Sequence, residues 1–421
     1  MANSLEKIKL PTDWKCATLE ELCVRPGEYG AGIAKRDYDP SLPRYIRITD
    51  IRDDGFLHSI NPVSISEEDA RPYVMKEGDI VFARSGATVG KTYLYNKDDG
   101  RCAFAGYLIK FQPNPNVIVA EFLKYFVQSK FYWKWVKNSQ QTLAQPNINA
   151  KQYGSLNVPV PPLPEQKKIA EILSSVDEAI ASTQAVIDQT RKVKQGLLQQ
   201  LLTHGIGHTR FKESAIGEIP EEWNCVTLGE LLDRGDLLGI QDGNHGEKHP
   251  KASDYVSEGV PFIMARDLVN GSVDTTSCAF ITQKQADSLR IGFSKPGDVL
   301  LTHKGTIGTV AITPYDFDYI MLTPQVTYYR VNFQGELLSH FLVQLFLSPE
   351  FQKQLSRVST QSTRNYIGIT AQKKLLIPFP PKDEQQKILD ILESNDLAER
   401  LQLNEMKRLK NLKQGLMQDL L

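Results

Sequence analysis

The sequence predicts an α+β protein made of two similar globular domains, each followed by a long helix, with the two long helices packed antiparallel like a coiled coil. Three observations lead to this prediction. The chain of 421 residues repeats itself, each repeat begins with a mixed pattern of strands and helices, and each ends in a long periodic apolar seam. With 41% hydrophobic residues, the chain can form two or three domains with separate cores.

The internal repeat covers both halves of the chain. The segment Lys194–Leu202 returns as Lys413–Leu421, and Trp14 has a counterpart in Trp223 at a slightly shorter offset. One unit was therefore duplicated, and we expect two similar halves related by a pseudo-two-fold axis. Two more pairs of segments keep the offset of the first pair: Pro159–Pro162 with Pro378–Pro381, and Gly78–Val81 with Gly297–Leu300.

The first domain is predicted over residues 1–160 and the second over residues 206–379. In both, short runs rich in β-branched and aromatic residues are separated by Gly, Pro and Asp, as strands and turns require. A helix with one apolar face follows the strands, so each domain is an α+β unit of ordinary size. The predicted strands include Tyr45–Ile48, Ile80–Ala83, Tyr107–Phe111, Phe262–Met264, Val299–Leu301 and Val326–Tyr329, and the helices lie near residues 120–135 and 336–347.

A long helix is predicted after each domain, over residues 161–205 and 380–421. Prolines stand at each start, where a missing N–H is harmless, and Glu165 lies near the positive end of the helix dipole. About 38 residues form a rod of roughly 57 Å. The apolar seam of each rod, with steps of three, four or seven, includes Ile169, Leu173, Val176, Ile180, Leu197 and Leu201 in the first helix and Ile388, Leu392, Leu397, Leu401, Leu409 and Leu416 in the second.

A seam of this length cannot stay in water, and the nearest equivalent surface is the other long helix. Because the first helix carries the chain from one domain to the next, the second is expected to run antiparallel to it. Asn395 replaces Val176 in the repeat. It either fixes the register of the pair or lies on a solvated side of an imperfect seam.

Composition narrows the possible functions. The net charge of −1 and the pI of about 6.7 argue weakly against nucleic-acid binding, although a neutral total can hide a basic face. Five scattered cysteines without a Cys-x-x-Cys pair indicate neither a disulfide framework nor a zinc site. The sequence shows no signal peptide and no apolar run of membrane-spanning length, so a cytoplasmic protein without a membrane partner is expected.

Sequence patterns of catalysis are weak. Ser85–Thr92 resembles a phosphate-binding loop, but Gly86 and Gly90 enclose three residues where that loop needs four. Gly30–Gly32 has no strand before it that would suggest a cofactor loop, and a flexible loop is the simpler interpretation. The seven histidines are dispersed. We therefore expect no catalytic residue, no metal site and no cofactor bound by this chain.

The whole pattern nevertheless resembles a known family. The features are Trp14 after a proline, Gly78–Val81 before a glycine turn, Pro161–Gln166 before a long helix, Lys194–Leu197 at its end, and Phe211–Pro220 opening the second half. In this order and in duplicate, they resemble the specificity subunit of type I restriction-modification systems. The resemblance covers essentially the whole chain.

The resemblance implies a division of labour between subunits. The two domains would be target-recognition domains, each reading one half of a bipartite, asymmetric sequence in double-stranded DNA, and the rods would set the spacing. Two modification (methyltransferase) subunits with S-adenosylmethionine would dock on the rods, and restriction subunits would supply ATP- and Mg-dependent translocation and cleavage. The chain would be no enzyme by itself. The seam residues Ile169, Leu173, Val176, Ile180, Leu197, Leu201, Ile388, Leu392, Leu409 and Leu416 would then serve partner binding.

Candidate DNA contacts come from loops rich in hydrogen-bond donors, because arginine and lysine recognise guanine and phosphate while asparagine and glutamine recognise adenine. Each candidate has a simpler interpretation. Arg47 and Arg266 could pair with nearby acidic residues, and residues 86–90 could form a structural hairpin. The candidates are Lys35, Arg36, Arg47, Arg84, Ser85, Thr88, Lys91, Gln145 and Asn147 in the first domain and Gln241, Asn244, His245, Arg266, His303, Lys304, Thr306, Arg364 and Asn365 in the second.

Two alternatives from other functional classes stay open at this point. One is a nucleotide hydrolase built around Gly86–Thr92, which would bind ATP through Lys91. The other is a two-domain scaffold that binds protein or glycan instead of DNA. Salt-dependent affinity for duplex DNA would argue against the scaffold, because phosphate contacts release counterions.

Overall fold

The computed structural model describes residues 11–140, 146–246, 248–269, 271–360 and 366–421. The chain divides into two compact units. The first contains the chain up to Ala185 together with Asn404–Leu421, and the second contains Val186–Leu403. Each unit therefore combines one globular domain with one half of each long helix.

The globular part of the first unit is built on two four-stranded sheets. One sheet has the strand order β2-β9-β6-β7 and the other β3-β5-β4-β8, and a short β1-β10 pair joins the two ends of the domain. The strands are β1 (Lys15–Thr18), β2 (Glu28–Tyr29), β3 (Arg36–Asp37), β4 (Arg44–Ile46), β5 (Val63–Ser64), β6 (Ile80–Ala83), β7 (Thr92–Leu94), β8 (Cys102–Phe104), β9 (Leu108–Phe111) and β10 (Asn157–Val160). The helices are α1 (Glu67–Ala70), α2 (Ala120–Phe126), α3 (Lys130–Gln140), α4 (Ala150–Gly154) and α5 (Leu163–His204).

The globular part of the second unit repeats this plan with longer strands. Its sheets have the orders β14-β23-β20-β21-β17-β16 and β18-β15-β22-β19, beside the pairs β13-β24 and β11-β12. The strands are β11 (Phe211–Ser214), β12 (Gly217–Pro220), β13 (Asn224–Thr227), β14 (Leu237–Asp242), β15 (Val260–Ile263), β16 (Leu268–Val269), β17 (Gly271–Val273), β18 (Ala279–Ile281), β19 (Phe293–Ser294), β20 (Val299–Lys304), β21 (Thr306–Ile312), β22 (Ile320–Leu322), β23 (Val326–Val331) and β24 (Leu376–Phe379). The helices are α6 (Leu228–Arg234), α7 (Gln283–Asp287), α8 (Ser339–Leu347), α9 (Pro349–Thr360), α10 (Ile369–Gln372) and α11 (Lys382–Leu420).

The repeated Gly-Asp pair starts the central strand of each domain. Gly78 and Gly297 have φ angles of 85° and 81°, which only glycine adopts easily. The carboxylate that follows accepts a hydrogen bond from the backbone N–H three residues earlier: Asp79 accepts from Lys76 at 2.9 Å, and Asp298 accepts from Lys295 at 2.8 Å. The motif is thus a closed turn that fixes where β6 and β20 begin.

The long helices run antiparallel within each unit. In the second unit, Arg191 pairs with Glu399 at 2.7 Å, and Lys194 pairs with Asp396. The residue numbers rise along α5 and fall along α11, as an antiparallel pair requires. In the first unit, the Lys413 ammonium lies 2.7 Å from the Asp177 carboxylate. The repeat maps Asp177 onto Asp396 and Lys194 onto Lys413, so the two lysine–aspartate pairs are counterparts.

Several predicted elements need correction. The helix expected near residues 120–135 is two helices, α2 and α3, and the helix expected near 336–347 begins only at Ser339. The apolar period places Leu397 and Leu401 in the seam, but each side chain is 58% exposed and is therefore not buried between the two helices. The Asn395 amide donates to the carbonyl of Ile391 in its own helix at 3.0 Å.

The seam residues proposed for partner binding are largely occupied by the protein itself. Ile180, Leu197 and Leu416 are half-buried. Most of these side chains are therefore not accessible to a partner. The buried residues of the set are Ile169, Leu173, Val176, Leu201, Ile388, Leu392 and Leu409.

Candidate nucleic-acid interface

The end of strand β6 brings several first-domain candidates together. The Arg84 guanidinium lies over the Tyr29 ring, 4.8 Å from its centroid, and its Nε is buried without a hydrogen-bond partner. Ser85 forms an isolated bridge with Asn147, whose Oδ1 is also buried and unpaired. An arginine fork and an amide acceptor thus stand side by side with unused hydrogen-bonding capacity.

The glycine loop that follows is a structural turn. Gly86–Thr88 forms a short 3₁₀ helix, and the Thr88 hydroxyl donates to the Ser85 carbonyl at 3.3 Å. The Gly90 N–H donates to the buried Tyr153 hydroxyl at 3.1 Å. Lys91 pairs with Asp53 at 2.8 Å. The groups that would have to hold a phosphate are engaged inside the domain, so this geometry does not favour a nucleotide hydrolase.

Arg47 and Arg266 lie at corresponding 3₁₀ turns of the two domains, but their side chains differ in how firmly they are paired with acidic residues. Arg47 makes two bonds to Asp50, from Nη2 at 2.6 Å and from Nε at 3.0 Å, and this pairing raises the arginine pKa. Arg266 lies 3.6 Å from Asp267 and its side chain is 71% exposed. The guanidinium of Arg47 is therefore committed to a structural pair, whereas that of Arg266 can reach an external acceptor.

The second-domain candidates separate into surface and interior groups. His245, Lys304 and Thr306 are exposed. His303 and Asn244 are 1% and 4% exposed, which is at odds with the direct DNA contact predicted for them, because a buried side chain cannot reach a duplex at the surface.

Three further candidates, Gln241, Lys35 and Arg36, lie on or beside edge strands of the two domains. The Gln241 amide oxygen accepts a hydrogen bond from the Tyr328 hydroxyl at 2.9 Å. Lys35, just before β3, and Arg36, the first residue of β3, are both exposed. The remaining three candidates, Gln145, Arg364 and Asn365, lie outside the described residues.

The His303 ring lies in a polar pocket of the second domain. Its Nδ1 is 3.1 Å from the Ile367 carbonyl and its Nε2 is 3.4 Å from Asp242, without a hydrogen bond at Nε2. Burial lowers the pKa of His303, and the Asp242 carboxylate only partly opposes that shift. The ring therefore favours the neutral form.

A cleft of about 1090 Å³ opens between the first domain and the helix halves of the first unit. Its lining is mixed, with apolar Phe56, Phe131 and Met406 beside charged Arg52 and Lys410. Over the residues described, no group of three or more His, Cys, Asp or Glu side chains is placed to hold a metal ion.

Sequence reasoning missed the aromatic residues of this surface. Tyr29, which supports Arg84, is 44% exposed, and Tyr107 is 64% exposed at a turn between β8 and β9. A search for hydrogen-bond donors passes over them. The signal in the sequence is a tyrosine next to a glycine, because Tyr29 precedes Gly30 and Tyr107 follows Gly106.

No helix in the described parts of the chain has both the length and the apolar character needed to cross a membrane.

The sequence matches the model of the type I restriction modification DNA specificity domain twice, over residues 11–190 and 220–414. Those two matches correspond to the two repeats.

Relatives and solved structures agree with these matches. The chain is 26% identical to the type I restriction enzyme MjaVIII specificity subunit of Methanocaldococcus jannaschii, over 98% of this chain and 93% of that protein. It is 23% identical to the EcoKI specificity subunit of Escherichia coli K12, over 97% and 88%.

Two solved structures share the fold. The HsdS subunit from Thermoanaerobacter tengcongensis matches with a TM-score of 0.52 at 20% identity, over 99% of both chains. A chain from a study of complex assembly and conformational transition of a type I R-M system matches with a TM-score of 0.62 at 20% identity, over 98% of both chains. With two family matches that together span most of its length, the chain belongs to the type I restriction-modification DNA specificity family.

Proposed function

We propose that this chain reads a bipartite, asymmetric DNA target, with one domain on each half-site, and directs partner subunits to it. One observation supports two different half-sites: corresponding backbone positions carry different side chains. The bridge Ser85–Asn147 of the first domain has the counterpart Lys304–Tyr366 in the second, at the same offset as the other repeated segments. Equivalent scaffolds with unlike surface chemistry suit two unlike DNA sequences.

The chemistry in this proposal belongs to other subunits. Modification subunits would carry S-adenosylmethionine, and restriction subunits would use ATP and Mg, while this chain supplies the choice of site. Its own polar clusters serve structure, as the pairs Arg47–Asp50 and Lys91–Asp53 illustrate.

Modification subunits would dock on the helix faces that the chain leaves open. Val193, Leu397 and Leu401 are 43%, 58% and 58% exposed on the long helices of the second unit. Apolar side chains exposed along a helix commonly mark an interface. Leu397→Glu with Leu401→Glu should abolish co-purification with a modification subunit, whereas Arg400→Ala should preserve it. Full co-purification of the double variant would place the dock elsewhere.

Exchange of one domain tests the function itself. Residues 14–158 are replaced by the corresponding domain of a relative, and methylated adenines are mapped in a host that expresses the chain with its modification subunit. The expected result is a target changed in one half only, because each domain reads its own half-site. A change in both halves would contradict the modular assignment.

Salt dependence separates DNA recognition from the scaffold alternative. Affinity of the assembled complex for its duplex should fall steeply with salt, since each phosphate contact releases counterions. The measurement is a binding titration at about 50 and 200 mM salt, where several phosphate contacts predict a loss of at least tenfold. Affinity independent of salt would favour a protein or glycan ligand.

A further inference from the structure

The same four-residue β-turn joins corresponding strands in both domains, β8 to β9 in the first and β22 to β23 in the second. In the first domain the Leu108 N–H donates to the Ala105 carbonyl at 2.8 Å, and in the second the Val326 N–H donates to the Thr323 carbonyl at 3.1 Å. The third residue of the turn is Tyr107 in one domain and Gln325 in the other, and both side chains are exposed.

Each turn is anchored to the end of the neighbouring strand by the same backbone bond. The Arg84 N–H donates to the Tyr107 carbonyl at 3.0 Å, and the His303 N–H donates to the Gln325 carbonyl at 3.0 Å. These bonds hold the backbone of Tyr107 and Gln325 in the same place relative to β6 and β20.

The strand ends are themselves held from the opposite side. Ile148 N–H donates to the Arg84 carbonyl at 2.9 Å, and Ile367 N–H donates to the His303 carbonyl at 2.9 Å. The turn, the strand end and the segment before α4 or α10 therefore form one connected group in each domain.

A glycine presses against the first residue of each turn. A Cβ at Gly30 would lie 2.3 Å from the Ala105 carbonyl oxygen, and a Cβ at Gly243 would lie 2.0 Å from the Thr323 carbonyl oxygen. Only glycine permits so close an approach. With hydrogen bonds on one side and this contact on the other, the turn backbone has little room to shift.

A fixed backbone that presents a different exposed side chain in each repeat is the arrangement that base discrimination requires. Glutamine can form two hydrogen bonds with adenine, through N6 and N7. Tyrosine offers an aromatic face and one hydroxyl, which suit an apolar contact with the thymine methyl group together with a single hydrogen bond. The neighbours of the turns differ as well. Arg84 lies over the Tyr29 ring, whereas its counterpart His303 is buried, and Ser85 of the first domain is replaced by exposed Lys304 in the second.

We infer that Tyr107 and Gln325 are corresponding base-contacting residues that help to determine the sequence of the first and second half-site, respectively. This inference rests on the proposed function and adds to it the positions that read bases. It assigns Gln325 to an adenine and Tyr107 to a contact with a thymine methyl group in duplex DNA.

The test uses the chain assembled with its modification subunit and a panel of duplexes in which each base pair of the target is replaced in turn. Gln325→Ala should reduce discrimination at one position of one half-site at least tenfold and leave the other half-site unchanged. Tyr107→Ala should do the same in the opposite half-site. Gln325→Glu should shift the preferred base from adenine toward cytosine, whose N4 amino group donates to a carboxylate.

Control variants with the same residue types come from the opposite end of the second-domain sheet. Gln334 is exposed after the other end of β23, and Tyr315 is 63% exposed beside Gly297, at the start of β20. Gln334→Ala and Tyr315→Ala should leave every base preference unchanged. Tyr107→Phe retains the ring, so it should keep the thymine contact and guards against a loss of discrimination caused by misfolding of the alanine variant.

The possible results distinguish a failure of the proposed function from a failure of the inference. A wild-type complex that binds DNA without any sequence preference would contradict the proposed function. A wild-type complex with a clear target, together with Tyr107 and Gln325 variants that keep the wild-type preference at every base, would overturn the inference alone. Changed preferences in the control variants would also overturn it, because the effect would then not belong to the turns.

Discussion

Gln166 and Gln385 are buried amides that join each long helix to the domain before it. Gln166 accepts a bond from Val119 N–H at 2.8 Å and donates to the carbonyls of Val117 at 3.1 Å and Pro161 at 2.8 Å. Gln385 makes the same three bonds, to Leu338 N–H and to the carbonyls of Glu336 and Pro380. The repeated Pro-Pro-x-x-Glu-Gln motif is therefore a joint between the domain and the helix.

Removal of this amide should destabilise the chain. Gln385→Met keeps the length of the side chain but leaves three backbone groups unpaired, at a cost of about 3 kcal/mol in the free energy of unfolding. Urea unfolding of the full chain measures the effect. The neighbouring Gln386 is exposed, so Gln386→Met should change stability by less than about 0.5 kcal/mol. Equal effects at both positions would argue against the joint.

His303 should make the second unit sensitive to acid. Its pKa is lowered by burial, so the folded state binds fewer protons than the unfolded chain below the ordinary value of 6.5. Stability therefore falls as pH falls through that value and is retained above it. Asp242, Lys304 and Tyr366 are the charged or titratable groups near the ring.

The measurement compares urea unfolding at pH 7.5 and 5.5. His303→Gln should lose less stability on acidification than the wild-type chain, because it has no proton to bind. His340 is exposed, so His340→Gln should behave like the wild type. An unchanged loss in the His303 variant would mean that other groups cause the acid sensitivity.

At the scale of secondary-structure elements, the two halves of the helix pair are held unequally. In the first unit, Asp177 is 11% exposed and accepts from Tyr125 at 2.9 Å as well as pairing with Lys413 at 2.7 Å. Lys124 lies 3.8 Å from the same carboxylate, and burial lowers the pKa of this lysine. The counterpart Asp396 is 33% exposed and pairs with Lys194 alone among these cations.

Neutralisation of the two aspartates should therefore have unequal effects. Asp177→Asn leaves two largely buried ammonium groups without their counter-charge, and we expect a loss of about 3 kcal/mol. Asp396→Asn removes a more exposed pair and should cost less than about 1 kcal/mol. Thermal and urea unfolding of the two variants give the comparison, and equal losses would contradict the role of burial.

The secondary-structure elements could be predicted where the regularly spaced apolar residues are the residues that the fold buries. The steps Ile169, Leu173 and Val176 identified a helix face that is buried, and Ile80–Ala83 was found as a strand with the observed bounds. Leu397 and Leu401 continued a helical period too, yet they are exposed. Periodicity locates an apolar face, but it does not say whether that face meets this chain or a partner.

At the scale of the whole molecule, the two domains are connected by one uninterrupted helix, α5, from Leu163 to His204. Added helical residues lengthen this connection by about 1.5 Å each. Asp177 of α5 pairs with Lys413 of α11. Thr183 follows Asp177 by the same number of residues as Lys407 precedes Lys413, so these two positions are opposite each other in the antiparallel pair. Equal insertions at Thr183 and Lys407 therefore keep the two helices in register.

Insertion of one heptad at both positions tests whether the helices set the spacing of the half-sites. Seven residues add about 10.5 Å, which corresponds to about three base pairs. We expect a target with the same half-sites and a gap longer by that amount, read from methylated adenines in the host genome. An unchanged gap with full affinity would contradict the ruler.

The candidate site could be predicted only in part. Residues near Arg84 and Lys304 were found because donors in glycine turns suggest surface loops. Tyr107 and Gln325 were not, because their equivalence depends on backbone bonds to Arg84 and His303 that no sequence spacing reveals. The burial of His303 was also invisible, since a histidine after an apolar strand looks the same whether it points inward or outward.

The first unit is assembled from distant parts of the chain, and this has a consequence for its synthesis. Leu416, Met417, Leu420 and Leu421 pack against its core, although nearly the whole second unit is translated before them. In the nascent chain, the apolar surface near Leu173 therefore stays exposed until Asn404–Leu421 has left the ribosome. The order of translation is not the order of assembly, and we expect the need for chaperones to be greatest just before Asn404–Leu421 emerges.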